Sequence, residues 1–184
     1  MMQIHQTMKN NDHRFGNLKI VADAFRREGV SYAVGASCML YLRGICSEFH
    51  DIDILVVKED FAKACRILEN FADEQIPEHR YSSYYRTYLF EDTEIDLIGE
   101  FILQGEDRSL KRDTPADLLM LEDMQIVLDT ADRWLRNYRL MGREARVRQL
   151  ELYFRNVPVN IRQSFGEKEW QEFCGKIISS YSES

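Results

Sequence analysis

The stretch HDIDILVV, residues 50–57, sets two aspartates into a run of isoleucine, leucine and valine. Such a β-branched apolar run reads as a buried strand over Ile52 to Val57. Side chains two apart in a strand share a face, so Asp51 and Asp53 project side by side while Ile52 and Ile54 pack into a core. The stretch EIDLIGEF, residues 94–101, repeats the theme: Asp96 lies between Ile95 and Leu97, with Glu94 and Ile98 on its own face. A carboxylate costs several kcal/mol to desolvate without a partner, so three of them in core strands need a reason.

A divalent cation supplies one. Two oxygen ligands on one strand suit a hard ion such as Mg²⁺, which keeps waters and takes phosphate oxygens as further ligands. A third carboxylate from a neighbouring strand completes a site for two ions, the usual arrangement for in-line phosphoryl displacement. Asp96 is the first candidate for that third ligand and Glu94 a weaker one. An isolated D-x-D is more often a solvated strand end, but the upstream turn Val34-Gly35-Ala36-Ser37 sharpens the signal. Gly35 permits close backbone approach. The amides after it open a helix, where phosphate is received, and the Ser37 hydroxyl adds a donor. The thirteen residues between Ser37 and Asp51 are enough for a helix and a return loop, which brings the two features together.

Outward from these motifs, apolar residues at Phe15, Leu18, Val21, Ala22 and Phe25 predict a helix over 15–28 with Gly29 as its cap. Ser31 to Val34 reads as a short strand, Ala36 to Leu42 as a short helix ended by Gly44, and Phe61 to Phe71 as an amphipathic helix. Tyr84 to Phe90, the polar turn Glu91-Asp92-Thr93 and Glu94 to Leu103 read as a hairpin. Gln104 to Pro115 reads as a linker. Thr114 and Pro115 then look like the cap and first turn of a helix that opens a helical remainder, and the tail SSYSES reads as frayed.

Composition sets the outer bounds. A chain of 184 residues, 45% hydrophobic with 3 prolines, is an ordinary globular protein. It shows no run long enough to span a bilayer and no signal-like N-terminus, so a cytoplasmic setting without membrane partners is expected. Cys38, Cys46, Cys65 and Cys174 form no zinc spacing and read as reduced core filler. Histidines 5, 13, 50 and 79 form no cluster, and His50 faces away from the carboxylates. The net charge of −7 argues against broad nucleic-acid binding.

A small-residue turn, a short helix, D-x-D on the next strand and a third aspartate on a later strand resemble the nucleotidyltransferase superfamily of the DNA polymerase beta type. The runs VGASCMLYLRG and HDIDILVV are most similar to its small bacterial members, among them aminoglycoside and lincosamide nucleotidyltransferases and the nucleotidyltransferase toxins. The resemblance covers residues 15–103 well and the remainder loosely. It implies an α/β (α+β) fold, a small mixed sheet with flanking helices followed by a helical C-terminal part. The corresponding division is a catalytic domain over 1–112 and a helical region over 113–184. It further implies Asp51, Asp53 and Asp96 as catalytic metal ligands, with two Mg²⁺ ions and an NTP such as ATP as co-substrate. Gly35 and Ser37 become triphosphate contacts. Ala36 departs from the pattern, since glycine is more usual there.

The activity so implied is Mg-dependent transfer of a nucleoside monophosphate to a hydroxyl, releasing pyrophosphate. The expected acceptor is a small hydroxylated molecule. The alternatives are a toxin-like enzyme acting on tRNA or protein, and a non-catalytic nucleotide-binding or regulatory member of the same fold. The acceptor proton would go to Glu94 or to a carboxylate of the C-terminal helices.

Two arginine features complete the reading. Residues 133–148 hold six arginines against one glutamate. On a continuous helix Arg136, Arg139, Arg143 and Arg146 make one stripe, while Val127, Trp134, Tyr138, Met141 and Ala145 make an apolar one. The basic stripe would clamp triphosphate, meet an acidic partner, or simply be a solvated face. Met141-Gly142-Arg143 resembles a glycine-arginine pair of related small transferases, which favours Arg143. Arg86 points to the site or pairs with Glu94 across the strands, with pairing favoured.

Overall fold

A computed structural model describes residues 3–4, 13–76 and 82–156. Cys174, His5, His79 and the SSYSES tail lie outside the described residues. Helix α1 (His13–Arg27) buries Phe15, Leu18, Val21, Ala22 and Phe25, the positions spaced for it. It stops at Gly29, whose φ of 64° admits the left-handed turn, and the Val30 amide donates to the Phe25 carbonyl at 2.9 Å. Strand β2 (Tyr32–Val34), helix α2 (Ala36–Leu42), strand β3 (Ile52–Val56) and helix α3 (Phe61–Glu69) follow where the apolar pattern puts them.

Preceding α1 is β1 (Gln3–Ile4), and after α3 come β4 (Glu74–Ile76), β5 (Tyr85–Phe90), β6 (Thr93–Ile98), β7 (Ile102–Leu103) and β8 (Glu106–Asp107). Then follow β9 (Ala116–Leu121), β10 (Met124–Asp129), α4 (Ala131–Leu140) and α5 (Glu144–Asn156). Among the described residues eight strands form one mixed sheet in the order β1-β9-β10-β2-β3-β6-β5-β4. At its centre β3 runs parallel to β6, with β2 antiparallel to β3 on one side and β5 antiparallel to β6 on the other. Ile52, Ile54, Leu55, Ile95 and Leu97 of this central pair are fully buried, each contributing about 1.5–3 kcal/mol of hydrophobic stabilisation. Helix α1 packs on β10 and α3, α3 on β5, and α2 on β3. None of the described helices is long and apolar enough to cross a membrane.

Several expectations are corrected. Residues 116–129 form the β9–β10 hairpin rather than a helix after Thr114 and Pro115, so the helical part begins at Ala131. Leu119, Leu121, Ile126 and Leu128 alternate into the core, and β10 pairs with β2, a tertiary partner that overrides the helix propensity of Leu and Met. Strand β6 ends at Ile98, since the chain turns at Gly99, where a Cβ would come 2.6 Å from the Phe61 ring. The expected linker holds β8 of the small β7–β8 hairpin.

The arginine-rich segment is two helices. Gly142 at φ 66° ends α4, and the Arg143 amide closes on the Tyr138 carbonyl at 2.9 Å. Val127 belongs to β10, Met141 and Ala145 are exposed, and only Trp134 and Tyr138 of the expected apolar stripe are buried. Arg136 pairs with Asp132 and Arg139 with Glu151. Leu97 stands opposite Arg86, and Leu89 opposite Glu94, a register that sets Arg86 and Glu94 on opposite faces of the hairpin; Arg86 donates to the Tyr85 carbonyl at 2.7 Å. His50 is exposed, Cys38 and Cys46 are buried free thiols, and Cys65 is a half-buried one.

Candidate active site

The site follows from register. Asp53 on β3 stands directly opposite Asp96 on β6. Parallel neighbours carry their side chains to the same face, and Glu94, two residues earlier on β6, and Asp51, just before β3, fall in beside Asp96. Carboxylate oxygens of Asp51, Glu94 and Asp96 lie within 4.8 Å of one another. Asp53 stands in the same field: burial pushes its carboxyl well above the usual carboxylate range, and the charges of Asp51, Asp96 and Glu94 push it further. The structure thus gathers Asp51 and Asp96 of the expected aspartates with Glu94, while Asp53 stands outside that 4.8 Å group, opposite Asp96 in strand register and within reach of its charge.

Asp96, itself buried, is held from both sides. Thr87 Oγ1 donates to its Oδ1 at 2.6 Å, and the Tyr85 hydroxyl donates to its Oδ2. Burial and the neighbouring Asp96 push the Tyr85 hydroxyl well up, which keeps it a donor. These two residues were missed in the sequence. A three-residue turn at 91–93 would set Tyr88 opposite Asp96, whereas the actual two-residue turn pairs Phe90 with Thr93 and sets Thr87 there.

The glycine turn lies beside β3 because β2 leads into it. The Gly35 amide donates to the Asp53 carbonyl at 2.9 Å, so Gly35 contributes by lacking a side chain rather than by offering an amide. A Cβ there would meet Trp134 Cζ2 at 2.5 Å and Leu55 Cδ1 at 2.6 Å. Ser37 Oγ donates to Asp51 Oδ1 at a long 3.5 Å. Ala36 has φ 42°, a left-handed conformation that glycine tolerates and alanine resists. Ala36→Gly is therefore expected to raise stability by about 0.5–1 kcal/mol, or about 1–4 °C in thermal midpoint. Differential scanning calorimetry checks this, and a lowered midpoint would contradict the assigned strain.

Trp134 of α4 backs the turn, and Tyr138 packs on the Trp134 ring with centroids 5.2 Å apart. Asp129, fully buried at the end of β10, accepts from the Thr130 amide at 2.8 Å, Trp134 Nε1 at 2.9 Å and Arg133 Nη1 at 3.0 Å. Burial raises the Asp129 carboxyl, and Arg133 holds it down in part. Arg43 Nη2 donates to the Asp129 carbonyl at 2.6 Å and to Asp117 at 2.8 Å. Burial and then Asp53 raise the Tyr138 hydroxyl, while Arg146 and Arg143 lower it. Arg143 is exposed at the α4–α5 joint, and Tyr138 feels both its charge and that of Asp53.

No family model and no curated protein matches the sequence. Solved structures match by fold. The chain is similar to TM1012 of Thermotoga maritima, a candidate nucleotidyltransferase, at TM-score 0.61 and 19% identity over 83% of this chain and 98% of that one. It is similar to the lincosamide antibiotic adenylyltransferase LnuA in its lincomycin-bound form, at TM-score 0.53 and 14% identity over 77% and 96% of the two chains. ANT(2″)-Ia in complex with adenylyl-2″-tobramycin matches at TM-score 0.56 and 12% identity over 92% and 98%. By its sheet, its helices and these neighbours, the chain has the fold of these nucleotidyltransferases.

Proposed function

We propose that this protein transfers a nucleoside monophosphate from an NTP, ATP in the first instance, to a hydroxyl of a small molecule and releases pyrophosphate. The observation that carries the reading is the pairing of Asp53 with Asp96 on adjacent parallel strands, which gathers Asp51 and Glu94 beside them. The donor set is all carboxylate oxygen, and its like charges oppose one another, as the raised Asp53 carboxyl records. Such a set fits a hard divalent cation, with Asp51, Asp53 and Asp96 as ligands for two Mg²⁺ ions. When bound, Mg²⁺ neutralises the α-phosphate and lowers the pKa of the acceptor hydroxyl.

The chain's own residues do the rest. Gly35 seats the phosphate-binding turn against Trp134 and Leu55, Ser37 donates to the triphosphate, and Arg143 meets its charge from the α4–α5 joint. Glu94 takes the acceptor proton as the new bond to the α-phosphorus forms and the bond to the leaving pyrophosphate breaks. A small acceptor is supported by the lincomycin bound to LnuA and the adenylyl-2″-tobramycin bound to ANT(2″)-Ia. Consumption of an NTP fits a cytoplasmic setting.

Incubation with ATP labelled at the α-phosphate and Mg²⁺, against hydroxylated small molecules including lincomycin and tobramycin and against tRNA and cell protein, tests the reading. Label is expected in a small molecule, with pyrophosphate released and both signals abolished by EDTA. Label in tRNA or protein alone would move the enzyme to the toxin-like class. Label in no pool, with no Mg-dependent nucleotide binding, would leave a non-catalytic module.

A further inference from the structure

We propose that Tyr85 and Thr87 are positioning residues that fix the Asp96 carboxylate for cation binding, an inference that rests on the reading of the site given above. Both lie on β5, two residues apart and hence on one face, with Thr87 directly opposite Asp96. Both are 3% exposed and Asp96 is 4% exposed, so no bulk water competes for these bonds. Each carboxylate oxygen has its own donor, Thr87 on Oδ1 and Tyr85 on Oδ2. Two donors on opposite oxygens set the plane of the carboxylate, where a single one leaves it free to turn about that bond.

The neighbourhood makes such restraint necessary. Asp51 and Glu94 set carboxylate oxygens within 4.8 Å of Asp96, and like charges at that range drive a free carboxylate to rotate away. The hydroxyls hold Asp96 against that repulsion while leaving each oxygen a lone pair for a ligand. Asp51, whose tie to Ser37 spans 3.5 Å, is held more loosely. Asp96 is therefore the ligand fixed in advance, and Asp51 the one that adjusts. Outer hydrogen-bond partners of metal ligands typically govern about 10–100-fold in metal affinity.

The test uses the full chain with Mn²⁺ as probe and a non-hydrolysable ATP analogue, bound ion being read by electron paramagnetic resonance. Tyr85→Phe and Thr87→Val keep shape and strand preference, and thermal melts confirm that each folds. Each is expected to weaken Mn²⁺ binding about tenfold, the pair more than either, while Thr87→Ser restores it by returning the hydroxyl. Asp96→Asn loses the same ion altogether. If the Phe and Val variants bind Mn²⁺ as tightly as the parent while Asp96→Asn does not, the hydroxyls serve only strand packing: the inference falls and the reading of the site stands. If the parent protein itself binds no Mn²⁺ with the analogue, the cation reading fails and takes the inference with it.

Discussion

Asp53→Asn should abolish nucleotidyl transfer while making the metal-free protein more stable. In the proposed chemistry Asp53 is a ligand shared by both ions, and its loss removes charge stabilisation worth about 4 kcal/mol in the transition state, a fall of about a thousandfold in kcat/KM. The gain in stability has a separate cause. Burial, Asp51 and Asp96 raise the Asp53 carboxyl well above its ordinary range, so the folded state holds that proton more tightly than the unfolded chain does. Stability therefore falls as pH rises from the ordinary carboxylate range through the raised value, and the whole penalty is present once Asp53 is ionised. Asparagine carries none of it. A gain of about 1 kcal/mol, or about 2–4 °C, is expected in EDTA above the raised Asp53 value, shrinking as pH falls toward the ordinary carboxylate range. Mg²⁺ should raise the midpoint of the parent more than that of the variant. A variant that is less stable in EDTA and responds equally to Mg²⁺ would remove the electrostatic account of the site.

Asp129→Ala should produce the largest loss of stability of any single substitution considered. Asp129 is fully buried and accepts from Thr130, Arg133 and Trp134. Deleting its carboxylate leaves the Arg133 guanidinium and the indole N–H without their acceptor in the interior, a cost of about 3–5 kcal/mol. At this chain length that is a drop of about 6–20 °C, measurable by calorimetry. The same change frees the Trp134 ring that backs Gly35 at a distance admitting no methyl group. Transfer activity of whatever folds should fall as well, although Asp129 touches neither nucleotide nor metal in the proposed chemistry. A stability within about 0.5 kcal/mol of the parent, the usual range for surface changes, would show the network to be dispensable.

The parts of the fold legible in the sequence are those decided by local periodicity. The five apolar positions of α1, the amphipathic α3 and the alternation of aspartate with isoleucine each carry their own signal. The hairpin at 116–129 was not legible, since Leu118 to Met120 are good helix formers and become strand only through β10 pairing with β2. For the site, Asp51, Asp53, Asp96, Gly35 and Ser37 could be named because each stands out within a short motif. The partners of Asp96 could not, because they depend on a turn being two residues long rather than three. The support around Trp134 was hidden more deeply. Arg43, Asp117, Asp129 and Arg133 come from four elements and meet only in the folded chain.

The parallel contact between β3 and β6 also orders assembly in time. The β5–β6 hairpin is a local structure, and it can form with Tyr85 and Thr87 already gripping Asp96. Strand β3 reaches it only after the chain has closed a long loop through α3, a step with a larger entropic cost than any hairpin. Capture of the proposed ion is thus a late event that reports a finished fold, since a nascent chain still short of residue 96 carries Asp51 and Asp53 but lacks the strand that sets Asp96 against them.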